Sequence, residues 1–111
     1  MKIRVDRDSV CMGDDVLPHE VEFEVPDDVT VKDFFDFLEM ERYLPSVQGN
    51  NVAWELRNRN GEHGVYFTKT REIIHPDALL KEMMEGFDGT PLFVLLYHCT
   101  PEAYYIRKEK K

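Results

Sequence analysis

Apolar and charged residues alternate in Lys2-Ile3-Arg4-Val5-Asp6, a period of two that predicts a half-buried strand. The alternation returns in residues 19–25. There Val21, Phe23 and Val25 point one way and Glu20, Glu22 and Glu24 the other. If the two strands pair, Lys2 and Arg4 meet those glutamates across the outer face. Pro26 and two aspartates end the second strand. From Thr30 the period becomes helical. Thr30 is an N-cap with Asp33 at N3, and Val29 with Phe34 suits a hydrophobic staple. Phe34, Phe37 and Leu38 form the apolar stripe, widened by Val31 and Phe35, and Pro45 stops the helix by Leu44.

Residues 52–57 and 64–67 flank Asn60-Gly61, the preferred pair for a tight hairpin turn. A two-residue turn there sets Trp54 opposite Phe67 and Leu56 opposite Val65, so these four share one buried face. Glu72-Ile73-Ile74 reads as a further short extended piece. His75-Pro76-Asp77 opens a short helix running to Met84, with Leu79, Leu80, Met83 and Met84 as its stripe and Gly86 past its end. Residues 91–97 are apolar at all positions, the mark of a central strand covered on both faces. One cover is the long helix. The other is either the tail, turning back after Thr100-Pro101 to bury Tyr104 or Tyr105 with Ile106, or a second copy of the chain. The tether favours the tail.

The order is strand, strand, helix, strand, strand, short helix, strand, which predicts an α+β single domain over residues 1–100 with a tail over 101–111. With PDDVT opening the long helix, YLP ending it and a late short helix before an apolar last strand, residues 1–98 resemble the ubiquitin-like β-grasp superfold. The resemblance implies a mixed sheet crossed by one long helix, with the first and last strands parallel neighbours. Modifiers and sulfur carriers of that superfold act through a C-terminal Gly-Gly. This chain ends YYIRKEKK, so neither activity is expected. Ferredoxins on a related fold need four clustered cysteines, and two are present.

Charge narrows the choice of partners. The chain has a formal charge of −8, and 13 of its 22 acids fall in residues 1–41. That balance argues against nucleic acid. No apolar run approaches the ~20 residues of a membrane helix, and MKIRVDRDS lacks an apolar signal region. A cytoplasmic protein, monomeric or weakly dimeric, is expected.

Candidate chemistry is sparse. Residues 11–20, CMGDDVLPHE, match neither an EF-hand nor a paired CxxC, and HExxH and glycine-rich phosphate loops are absent. In a β-grasp sheet the ends of the first and last strands share an edge. Cys11, His98 and Cys99, with Asp14, Asp15 and His19 near, then make a candidate zinc or thiol site. The blander reading is two small semi-buried thiols and a strand-end histidine. The acids Glu20, Glu22, Glu24, Asp33 and Asp36 form either a solvated face or a docking surface for a partner protein. The preferred reading is an acidic protein-binding module without catalytic activity or cofactor.

Overall fold

The computed structural model describes residues 1–8, 20–44, 51–84, 86, 89–98 and 100–109. Its strands are β1 (Lys2–Arg7), β2 (Val21–Glu24), β3 (Ala53–Asn58), β4 (Gly61–Phe67), β5 (Glu72–Ile74) and β6 (Leu92–His98). Two α-helices, α1 (Val31–Met40) and α2 (Pro101–Glu109), and a 3-10 turn at Leu80–Met83 complete the α+β architecture. The strands form one mixed sheet in the order β2-β1-β6-β3-β4-β5. β1 runs antiparallel to β2 and parallel to β6, and every other pairing is antiparallel.

Local chemistry explains α1. The Thr30 hydroxyl accepts the Asp33 N–H at 3.2 Å, which satisfies one of the donors a helix start leaves open. Val31, Phe34, Phe35 and Leu38 are buried along one stripe. The helix ends where Arg42 turns left-handed at φ 56°, with the Tyr43 N–H bonded to Leu38 O at 2.9 Å. α1 lies on the inner sheet face, over Ile3, Val5, Trp54, Leu56, Tyr66, Phe93 and Leu95. At the β2 edge Phe23 meets Phe37 and Tyr43 edge-on, at 5.1 and 5.7 Å between ring centres. Val21, at the far end of that strand, is exposed.

The hairpin register differs from the sequence expectation by one residue. Ala53 pairs with Phe67, Trp54 with Tyr66 and Leu56 with Gly64. The turn residues are Arg59 and Asn60, and the Asn58 side chain accepts the Asn60 N–H at 2.8 Å. His63 is the extra residue of a bulge between the Leu56–Gly64 and Arg57–Glu62 pairs. A one-residue slip moves every β4 side chain to the other face. Trp54, Leu56 and Tyr66 therefore face α1, while Ala53, Val65 and Phe67 form a separate cluster with Tyr104 on the outer face. The close approach of α1 favours this register. A Cβ on Gly64 would lie 2.8 Å from Val31 Cγ1 and 2.9 Å from the Ile74 carbonyl oxygen. The valine that the expected register places there has no room.

The expected short helix at residues 75–84 is also corrected. His75 has φ 58°, Leu79 is extended and bridges to Thr30, and only Leu80–Met83 are helical, as a 3-10 turn. The Leu80 N–H bonds to Val29 O at 3.1 Å and the Val31 N–H to Ala78 O at 2.9 Å. The α1 entry loop thus claims as extended chain the backbone that a helix would use.

Residues 101–109, read from sequence as a tail, form α2. Thr100 accepts the Ala103 N–H at 3.1 Å and Pro101 occupies the first helical turn. Tyr104 is buried against Ala53, Val65 and Phe67, and Tyr105 stacks on Phe67 at 5.9 Å. Ile106, expected to be buried with them, is 53% exposed. α2 covers the β3–β4 part of the outer face and leaves Leu92, Val94 and Leu96 of β6 half-buried.

Candidate functional site

Beside the part that α2 covers, the outer face carries a groove of about 520 Å³. Leu92, Val94 and Leu96 line it, alternate residues of β6 that face away from α1. Arg4 of β1, Arg57 of β3, Arg59 and Asn58 of the hairpin end, and Thr90 make up the rest of its lining. Sheet order dictates this gathering. β6 lies between β1 and β3, and the register sets Arg4 beside Leu92 and Arg57 beside Val94. Arg4 donates Nε and Nη2 to Thr90 O at 3.2 and 3.0 Å, and its Nη1 is 3.9 Å from Glu20.

Arg57 is held from beneath. Its Nη1 donates to Glu55 Oε2 at 2.6 Å, and His98 Nε2 donates to Glu55 Oε1 at 2.9 Å. Glu55 is 2% exposed, so its charge depends on these donors. Burial pushes its carboxyl up, and the bonds from Arg57 and His98 outweigh that, leaving it below the usual carboxylate range. The His98 ring meets Tyr104 edge-on at 5.4 Å. Tyr104 Oη donates to Glu62 Oε2 at 3.0 Å. Burial first, then Glu62, raises the Tyr104 hydroxyl above its ordinary value. A polar chain thus runs from the groove wall through Glu55 and His98 to α2.

A second cluster fixes the hairpin end. Asn58 Nδ2 donates to Met83 O at 2.8 Å, and Asn60 Nδ2 to the same oxygen at 3.1 Å. His63 Nε2 lies 2.6 Å from Asn58 Oδ1, and burial, then Arg57, lowers its pKa. These bonds tie the loop bearing Arg59 to the 3-10 turn.

Of the sequence-derived candidates, Cys11 and Cys99 lie outside the described residues, as do Asp14, Asp15 and His19. His98 is committed to Glu55. Among the described residues no three His, Cys, Asp or Glu side chains are placed to hold a metal ion. Glu20, Glu22 and Glu24 line the exposed outer side of the β2 edge, where Lys2 reaches Glu22 at 3.8 Å and Arg4 reaches Glu20. Asp33 and Asp36 are exposed on α1, which packs on the opposite sheet face. The fold brings the β2 acids together and keeps the α1 acids apart from them. Sequence reasoning missed Arg4, Arg57 and Arg59 as a group. Their common signal is register: each arginine lies on a strand or turn next to β6, which only the strand order reveals.

No helix among the described residues is long and apolar enough to cross a membrane. Compared with protein-family models, curated proteins and solved structures, the chain finds no match.

Proposed function

We propose that the protein is a small ubiquitin-like β-grasp interaction module that holds a partner protein against the uncovered part of its outer sheet face. The superfold reading is supported by the parallel β1–β6 pair at the sheet centre, flanked by antiparallel arms and crossed on one face by α1. The observation that carries the binding reading is the groove itself. Three aliphatic side chains of a central strand stay half-buried beside the β3–β4 part of the outer face that α2 covers, and arginines border them. Apolar floor and polar rim are the anatomy of a docking surface. Binding rather than catalysis is favoured because the titratable groups next to the groove satisfy one another: Glu55 with Arg57 and His98, and Tyr104 with Glu62.

A photo-crosslinking residue placed at Val94 of the full chain tests this reading in native lysate. Lys32, exposed on α1, is the control position. The expected result is a discrete protein adduct at Val94 that excess unmodified chain suppresses and that is absent at Lys32. Identical adducts at both positions, or none at Val94, overturns it.

A further inference from the structure

We infer that the groove takes an acidic, aliphatic-bearing segment of the partner protein, laid along β6 with its carboxylates on Arg4, Arg57 and Arg59. This inference rests on the docking reading above and adds the chemistry of the occupant.

Charge placement comes first. A chain of net charge −8 gathers three guanidinium groups around one short groove. Two of them are preset. Arg4 is held by the Thr90 carbonyl and Arg57 by buried Glu55. Glu55 is the partner of Arg57 among the described residues, and it takes one of the five N–H donors of that guanidinium. The remaining donors suit a second carboxylate in forked geometry. Holding the arginines before binding lowers the ordering cost of association.

The floor selects against a bare anion. Leu92, Val94 and Leu96 repeat every second residue, roughly 7 Å apart along the strand, which matches the side-chain repeat of an extended peptide. Inorganic phosphate would leave that apolar surface wet. A long polyanion meets a different obstacle. Glu20, Glu22 and Glu24 line the outer side of β2, the strand beyond β1, so nucleic acid leaving the groove on that side would run into like charge. A peptide segment with two or three acids and alternating aliphatic residues satisfies both conditions.

The test uses the full chain labelled with nitrogen-15 and an end-capped octapeptide of alternating Asp and Leu. Matched peptides carry Lys or Ser in place of Asp, and a single-stranded oligonucleotide is included. The expected result is saturable shifts of the β6 amides and the Nε–H signals of Arg4, Arg57 and Arg59 with the Asp peptide. Binding should weaken at least about tenfold between 0.05 and 0.5 M salt, since exposed charges are screened within about 10 Å at 0.1 M. Arg59→Glu should weaken the Asp peptide at least fivefold and admit the Lys peptide. Leu92→Ser supplies a second variant that should also weaken binding, and unshifted α1 amides report an intact fold in both. Equal binding of the Lys or Ser peptide overturns the proposal. So does oligonucleotide competition at the same signals, which assigns the groove to nucleic acid. Concentration-dependent shifts of those signals without peptide assign it to a second copy and also overturn the proposal. If Val94 crosslinks a partner while the Asp peptide fails to bind, the acidic occupant is wrong and the docking reading stands. If both experiments are silent, both fall.

Discussion

Replacing Gly64 by alanine tests the contact that selects the hairpin register. The added methyl would lie 2.8 Å from Val31 Cγ1 and 2.9 Å from Ile74 O. Carbon atoms pack best at about 3.5–4.0 Å, so the first contact overlaps by roughly 1 Å. Neither neighbour yields cheaply. Val31 is fully buried at the start of α1, where a β-branched side chain has one strongly preferred rotamer. The Ile74 oxygen belongs to the β5 backbone, paired to β4. Overpacking of this kind costs about 1–3 kcal/mol. Against it, alanine narrows the unfolded ensemble and gains about 0.4–1 kcal/mol. A net loss of roughly 1–2 kcal/mol remains, readable as a lower urea midpoint at unchanged slope. In a Val31→Ala background one of the two clashes disappears. The cost of Gly64→Ala should then fall by at least about 0.5 kcal/mol, as expected for residues in contact. A Gly64→Ala protein as stable as the parent, or one whose loss is the same in both backgrounds, refutes the close approach and with it this account of the register.

Glu55→Gln should cost about 1–3 kcal/mol in denaturant melts, because Arg57 and His98 lose a buried anion while Arg57 can still turn partly to water. The Glu55 carboxyl is lowered on folding, so its contribution is present above the unfolded value near 4.5 and is lost as pH falls through the lower folded value. Glu55→Gln should therefore lessen the acid loss of stability below pH 4.5, and an unchanged acid limb would contradict this. Tyr104→Ala empties the centre of the outer cluster, for which the usual range is about 3–5 kcal/mol. If α2 undocks instead, the loss is capped at its docking energy, and hydrogen exchange should show α2 amides opening while β6 stays protected. Full protection of α2 in that variant would show that Tyr104 does not anchor it.

What the sequence disclosed followed from elements whose signals are local and one-sided. α1 was legible because Thr30, Asp33 and the 3.6-residue stripe agree with its packing, and β1 and β2 because their outer faces are charged. The β3–β4 hairpin was legible as a hairpin but not in register. Both faces there are covered, so Val65, Tyr66 and Phe67 are all buried and no alternation remains to show which face is which. Asn60-Gly61 pointed to a turn one residue too late, and the limit that Val31 sets on Gly64 comes from another element. The helix expected after His75 failed because Ala78 and Leu80, on either side of Leu79, bond to the α1 entry, a partner distant in sequence. α2 had a readable start in Thr100-Pro101-Glu102, the cap, first-turn proline and early acid of a helix. The arginine groove depends wholly on β6 lying between β1 and β3, which no window along the chain contains.

The central position of β6 also governs when the molecule can form. β1 finds its inner neighbour only in β6, and Arg4 is bonded to a residue 86 positions away. The β1–β2 arm therefore stays apart from the β3–β5 arm until β6 has been made and placed. Until then Ile3 and Val5 have no β6 beside them, and both edges of the future gap offer unpaired backbone. Topology of this kind favours slow folding, because a long loop must close before its contacts repay the entropy. It also makes the half-made chain most exposed to association through those edges.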